Sequence, residues 1–169
     1  MSRAAPTGLL SSISLALAAC GGSGPGADSC ESITAAPLTA ATLGKQTILS
    51  SAEYLAQDAY ASADIRRGQA LSMQCRTCHT LEKGGASIVG PNLFGMFGRA
   101  AGGAADFAYS DALVASGFLW TPRALDAWLA QPFAFLPGNR MSFPGLPDRH
   151  DRNALIAYLL QHTDNVADE

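Results

Sequence analysis

The apolar residues in the second half of the chain recur at intervals of three and four residues, which is the period of an amphipathic α-helix. Near the carboxyl end, residues 155–160 place leucine and isoleucine side chains along one broad face. Two further helices are indicated by their first residues, because an aspartate precedes residues 65–74 and Thr121 precedes a proline that opens residues 122–130. Few segments alternate with the strand period, so the pattern predicts an almost entirely α-helical domain.

Glycines and prolines divide these helical segments with loops. Residues 63–164 contain the strongly periodic segments and are predicted to form one compact domain, followed by a short tail over residues 165–169. A chain of 169 residues is long enough for one such domain with additional segments. The sequence shows no internal repeat.

The segment ahead of this domain has a different composition. Residues 20–62 begin with a run of glycine, serine and proline at 21–26, which buries too little apolar surface to offset the entropy of ordering the chain. We therefore predict a flexible tether over residues 20–62. Its second half is open to another interpretation, because Tyr54 and Tyr60 could pack on the domain as part of a short helix or an extended arm.

The first residues resemble a secretory signal. Arg3 supplies a positive charge, an apolar run follows from Leu9, and residues 17–20 read Leu-Ala-Ala-Cys. This ending resembles the lipobox of bacterial lipoproteins, which implies that residues 1–19 are a signal peptide and that Cys20 becomes the lipid-bearing first residue. The alternative is ordinary cleavage nearby, giving a soluble periplasmic protein. Both imply export, and the favoured expectation is a periplasm-facing protein of the bacterial cell envelope, lipid-anchored to a membrane through Cys20.

Charge and hydropathy exclude two function classes. Charged residues make up 15% of the chain, the formal net charge is −3, and lysine occurs only at Lys45 and Lys83. Without a basic run, we expect no nucleic-acid binding. No apolar stretch reaches the roughly 18–20 residues that a membrane-spanning helix needs.

The most specific chemical motif lies at residues 75–79, which read Cys-Arg-Thr-Cys-His. Two thiols three positions apart with a histidine directly behind them are the attachment signature of a c-type haem. Cys75 and Cys78 would form thioethers with the haem vinyl groups, and His79 would bind the iron. A redox dithiol or a zinc site is the alternative, but the chain has no second cysteine pair and no His-x-x-x-His to complete a zinc site. Cys30 is left without a predicted role.

An electron-carrying iron needs a second axial ligand, and the sequence offers several. The candidates are Met73, Met96, Met141, His150 and His162. Met73 fits a core position and Met96 a packing position, whereas the two histidines fall near or on the last helix. Met141 lies in a loop bracketed by proline and glycine. A methionine in such a loop has no helical face to fill, so its position favours a ligand role.

From about Ala63 to Thr163 the chain resembles a class I cytochrome c, of the same general kind as the mitochondrial protein. The resemblance rests on motifs that occur in order: the haem attachment motif with Thr80-Leu81 behind it, Gly90-Pro91-Asn92-Leu93, Phe97-Gly98-Arg99, Tyr109-Ser110, Trp120-Thr121, Pro137-Gly138-Asn139-Arg140-Met141 and Leu155-Ile156-Ala157-Tyr158-Leu159. It implies a small all-α domain of four to five helices wrapped around one covalently attached haem c.

The resemblance also implies roles for individual residues. His79 and Met141 would be the two axial ligands of the iron, and the Pro91 carbonyl would accept the other ring N–H of His79. Three side chains would hydrogen-bond the haem propionates, namely Arg99, Tyr109 and Trp120. Where the last and first helices cross, Gly68 and Leu71 would meet Leu155 and Tyr158.

The chain departs from the family pattern at three features. Trp128 replaces the tyrosine expected beside the methionine ligand, which removes that buried hydroxyl, and Leu113 replaces an asparagine expected near an internal water. Both changes are expected to make the haem pocket drier and less polar. The ring of lysines that steers the mitochondrial protein to its oxidase is missing, so we expect partner docking to depend less on salt.

Together these features predict a membrane-tethered monohaem cytochrome that transfers single electrons and is not an enzyme. The expected partners are a quinol-oxidising complex or dehydrogenase upstream and a terminal oxidase or reductase downstream. One alternative is a haem subunit that delivers electrons within a larger oxidoreductase. The other is a ligand-binding haem protein with an open iron, which would require Met141 to leave the iron.

Overall fold

The computed structural model of this chain describes residues 36–163. The predicted signal peptide, the lipidation site at Cys20, the unassigned Cys30 and the tail over residues 165–169 lie outside these residues. The described part contains one short 3-10 helix, Ala40–Thr42, and seven α-helical segments. These are α1 (Ser51–Leu55), α2 (Asp58–Ala61), α3 (Ile65–Arg76), α4 (Asp111–Ala115), α5 (Pro122–Ala130), α6 (Pro132–Phe135) and α7 (Arg149–His162).

The predicted all-α fold is confirmed. Within residues 36–163 the only β-type pairing is an isolated antiparallel bridge between Ala100 and Leu119. Five of the α-helical segments, α3 to α7, follow residue 63, in agreement with the four to five helices expected for the domain. None of the helices in the described part of the chain is both long and apolar enough to cross a membrane.

Local capping explains where the main helices begin. The Asp64 carboxylate accepts a hydrogen bond from the backbone N–H of Arg67 at 3.0 Å, and the Thr121 hydroxyl accepts one from Ala124 at 3.1 Å. Asp148 does the same for α7. Each cap satisfies a backbone donor that has no partner within its helix. The proline after α5 ends that helix as expected, but it also opens the single turn α6, which the sequence did not predict.

The longest helices, α3 and α7, pack directly on each other. A Cβ atom at Gly68 of α3 would overlap the backbone carbonyl of Ala154 and lie 2.8 Å from the Cβ atom of Tyr158. Only glycine therefore permits the observed approach of the two helices. The crossing is where the resemblance placed it, and it fixes the first turns of the helix whose last turn carries Cys75.

Residues 36–62 lie ahead of the predicted domain boundary at residue 63. They form an arm that packs on the domain. The Gln46 amide pairs with Leu119 through both backbone groups, donating to its carbonyl oxygen at 2.6 Å and accepting from its N–H at 2.8 Å. Tyr54 and Tyr60 are buried, as the packed alternative predicted. The part of the predicted tether that the structure describes is thus an ordered arm, because its aromatic side chains find an apolar surface to cover.

Candidate haem site

A cavity of about 540 Å³ lies within the helical domain, which is in the size range of cofactor sites. Its lining includes every residue that the sequence predicts to bind the cofactor: Cys75, Cys78, His79, Pro91, Arg99, Tyr109, Trp120, Trp128 and Met141. Apolar side chains such as Leu125 and Leu129 make up much of the remaining wall. The fold therefore collects residues from several separate stretches of sequence around one space.

The end of α3 presents the attachment motif to this cavity. The backbone N–H groups of Cys78 and His79 both donate to the carbonyl of Cys75, at 3.0 and 2.9 Å, so the chain turns tightly after the helix. Burial raises the pKa of the Cys75 thiol to about 11. Redox-active dithiols instead depend on a lowered thiol pKa. The buried surroundings of Cys75 therefore do not favour a dithiol function.

The imidazole of His79 is held from two directions. Its Nδ1 atom lies 2.6 Å from the carbonyl oxygen of Pro91, which accepts the ring N–H when Nδ1 carries the proton. Burial lowers the pKa of His79, and the bond to Pro91 opposes that shift. A Cβ atom at Gly90 would lie 2.8 Å from both ring nitrogens, so the glycine allows the backbone to lie flush against the ring. A neutral imidazole with Nδ1 occupied has Nε2 free to bind a metal.

Met141 is held at its backbone and at its sulfur. The backbone N–H of Met141 donates to Oδ1 of Asn139 at 3.0 Å, and the indole N–H of Trp128 donates to the Met141 sulfur at 3.2 Å. The expectation that replacing tyrosine by Trp128 leaves this pocket less polar is therefore corrected for that position. The tyrosine hydroxyl is absent, but a buried indole N–H needs an acceptor and takes over the donor role.

The three predicted propionate-binding residues lie close together. Backbone hydrogen bonds from Trp120 to the Arg99 carbonyl at 2.9 Å and from Gly98 to the Trp120 carbonyl at 2.8 Å place Arg99 and Trp120 side by side. The Arg99 guanidinium donates to the carbonyl of Asn92 at 3.0 Å. Since a guanidinium has five N–H donors, Arg99 can also donate to an acid group in the cavity. Burial raises the pKa of the Tyr109 hydroxyl above its ordinary value, and a tyrosine hydroxyl is protonated and able to donate at neutral pH.

Comparison with known proteins decides the family. The cytochrome c of Kluyveromyces lactis is 38% identical over 103 residues, which cover 60% of this chain and 94% of that protein. The cytochrome c of Chlamydomonas reinhardtii is 44% identical over 103 residues, covering 60% of this chain and 92% of that protein. The chain belongs to the cytochrome c family. A protein of Bradyrhizobium diazoefficiens named cytochrome c homolog is 42% identical over 99 residues, 58% of this chain and 54% of that protein. No protein-family model matches the chain.

Membership in the cytochrome c family establishes three general properties. The protein carries one covalently bound haem c, it transfers electrons, and it is not an enzyme. The cavity fits such a group, because it is large, mostly apolar and lined by two thiols, an imidazole and a thioether. These are the donors that bind haem covalently and ligate its iron, and the haem iron supplies the one-electron chemistry.

The other candidate ligands of this cytochrome are placed differently from Met141. Met73 is 61% exposed, so its predicted core position is wrong: its side chain lies on the solvent-facing side of α3. His150 and His162 are exposed on α7. Met96 is buried at 3% exposure and lines the cavity, in keeping with the packing role expected for it.

Sequence reasoning missed two residues that shape this site. Gly90 was given no role beyond its place in a motif of the family resemblance, whereas it lies against the ring of His79. Asn139 received no role of its own, although its side chain makes three hydrogen bonds around the Met141 loop. The sequence did contain a signal for this role. Asparagine has a short polar side chain that often stabilises turns, and Asn139 lies two positions before the candidate ligand Met141.

Proposed function

We propose that this cytochrome carries single electrons between respiratory partners at a membrane surface, with His79 and Met141 as the axial ligands of its haem iron. Lipidated Cys20 would hold it to the membrane on the periplasmic side. A quinol-oxidising complex or dehydrogenase would supply the electrons, and a terminal oxidase or reductase would accept them. With His79 and Met141 both bound to it, the iron would gain and lose one electron with little rearrangement.

One observation carries the ligand assignment. The imidazole of His79, the thioether of Met141 and both attachment thiols line the same cavity, and each ligand has its own supporting contact. The exposed histidines and Met73 have no such placement. A thioether sulfur is a soft ligand that favours the ferrous state, which suits a carrier of relatively high reduction potential.

The charge around the cavity supports docking that depends weakly on salt. The described residues that line it include two arginines, Arg99 and Arg140, but no lysine and no carboxylate. Val89 at its edge is 74% exposed. An edge that is largely apolar and carries no lysine gains little from long-range electrostatic steering, and a membrane tether could replace that gain by raising the effective concentration of the partner.

The axial ligation is tested by the weak red charge-transfer band that ferric cytochromes of this kind show when methionine binds the iron. We expect the band in the wild-type protein and its loss in Met141→Ala, with Met96→Leu as a matched control that keeps it. A wild-type protein without the band would contradict Met141 ligation and favour an open or bis-histidine iron.

The membrane tether is tested by metabolic labelling with palmitate. We expect label and membrane fractionation for the wild type and neither for Cys20→Ala. An unlabelled wild-type protein would contradict lipidation.

The redox partners are addressed by purifying the tagged, membrane-bound protein and identifying the proteins that associate with it. A fixed stoichiometric complex with one oxidoreductase would favour the role of an enzyme subunit.

A further inference from the structure

We propose that Asn139 is a positioning residue for Met141, holding the ligand loop closed over the haem cavity. This inference rests on the proposed role of Met141 as an iron ligand and adds a residue that acts on it through the backbone.

The side chain of Asn139 uses all of its principal hydrogen-bonding groups within the protein. Its amide nitrogen donates to the carbonyl of Pro132 at 3.0 Å and to that of Leu136 at 2.8 Å. Its amide oxygen accepts from the backbone N–H of Met141 at 3.0 Å. With only 7% of its surface exposed, Asn139 makes these bonds away from competing water. It therefore connects both ends of the single turn α6 to the residue that carries the sulfur.

The loop has few other local restraints. Pro137 has no backbone N–H, and Gly138 adopts a left-handed φ of +84°, so neither continues a regular hydrogen-bond pattern. The backbone bond from Asn139 to the Leu136 carbonyl is long, at 3.3 Å. Without the Asn139 side chain, the Met141 N–H would lose its partner, and the carbonyls of Pro132 and Leu136 would each keep only one backbone bond. Opening of the loop would then restore the lost hydrogen bonds through water.

Asparagine is suited to this task because it combines two donors with one acceptor on a short side chain. Aspartate at the same position keeps the acceptor for Met141 but loses both donors and points a charge at two carbonyl oxygens. Serine keeps one acceptor and one donor. The three substitutions Asn139→Ala, Asn139→Asp and Asn139→Ser therefore remove different parts of the contact.

The contact of Asn139 is separate from that of Trp128. Trp128 donates to the sulfur itself and so acts on its electronic character, whereas Asn139 holds the backbone N–H. Loss of Asn139 should therefore change how readily the methionine leaves the iron. It should have a smaller effect on the absorption spectrum of the protein while the methionine is bound.

The test uses the holoprotein and measures how fast imidazole binds the ferric iron, since the methionine must leave before imidazole enters. Asn139→Ala removes three hydrogen bonds and Asn139→Asp removes two, and both are expected to accelerate binding by about tenfold or more. Asn139→Ser should accelerate it by less. Asn153→Ala is the matched control on α7, outside the cavity lining, and should stay within about twofold of wild type.

Denaturant unfolding of the same variants separates loop opening from global stability. A wild-type protein that shows the methionine band, together with an unchanged imidazole rate in Asn139→Ala, would overturn this inference alone, even if that variant unfolds more easily. A wild-type protein without the band would overturn the ligand assignment and this inference with it. If Asn139→Ala does not accumulate with haem, the imidazole rate of Asn139→Ser is measured in its place, and an unchanged rate there overturns the inference equally.

Discussion

The indole N–H of Trp128 donates a hydrogen bond to the sulfur of Met141, with 3.2 Å between nitrogen and sulfur. The contact is supported from behind by packing, since the Trp128 ring meets Trp120 at a centroid distance of 5.3 Å and Phe135 at 6.0 Å, both edge to face. A buried ring held in this way has little rotational freedom. The donor is therefore held in place against the sulfur of the proposed ligand.

Replacing Trp128 is expected to lower the reduction potential. An N–H donor withdraws electron density from sulfur, and the ferric iron needs that density more than the ferrous iron does. Trp128→Phe should lower the midpoint potential by about 20–40 mV, the equivalent of a weak hydrogen bond of about 0.5–1 kcal/mol. Redox titration measures the shift. Phe135→Leu, which loosens the same aromatic packing without removing a donor, is the control; an equal shift in that variant would assign the effect to packing.

Substitution of Gly90 is expected to disturb His79. In Gly90→Ala the new methyl group would press on the imidazole, and overpacking of this kind typically costs about 1–3 kcal/mol. We expect a lower free energy of unfolding of the holoprotein and altered ligand-field bands of the low-spin iron. Gly84→Ala is the control for the spectra: its φ of +72° makes a side chain strained there, so some stability is lost, but the Cβ meets no atom within 4 Å and the ligand-field bands should stay as in the wild type. Unchanged spectra in Gly90→Ala would contradict the steric argument.

The Gln46 amide is expected to contribute to stability. Gln46→Ala would leave the N–H and carbonyl of Leu119 without this partner, and unpaired groups of this kind cost about 1–3 kcal/mol each when buried and less when partly exposed, as here. Chemical denaturation should show a loss of about 1–2 kcal/mol. Gln46→Glu keeps the acceptor and should lose less. Equal stability of Gln46→Ala and wild type would mean that the arm is held by its other contacts, such as the buried side chain of Leu43 and the bond from Arg123 to the Leu43 carbonyl.

Removal of the haem is expected to unfold the domain. The cavity of about 540 Å³ lies among the residues that pack the helices together, so without the macrocycle their apolar surface would face water or a void. The Cys75→Ala/Cys78→Ala protein should lack most of its far-ultraviolet helical signal and should show no cooperative melt. A native-like cooperative transition in that protein would contradict a haem-dependent core.

Local patterns proved sufficient for much of the fold. The cap residues of α3 and α5 are where the sequence placed them, because a cap depends only on a side chain and the backbone a few residues away. Met73 shows the limit of local reasoning. Its apolar character suggested a core position, but which face of α3 is covered depends on where α7 crosses it, and Met73 lies on the exposed face.

The sequence by itself determined the chemistry of this protein: the haem attachment motif at residues 75–79, the proposed ligand loop and the cytochrome family. Covalent spacing and short-range conformational preference carry that information. Only the tertiary structure decided which groups touch the proposed ligands. Gly90 against His79, Trp128 on the Met141 sulfur and Gln46 on Leu119 are set by how distant segments pack around one cavity, and the direction of each side chain follows from that packing.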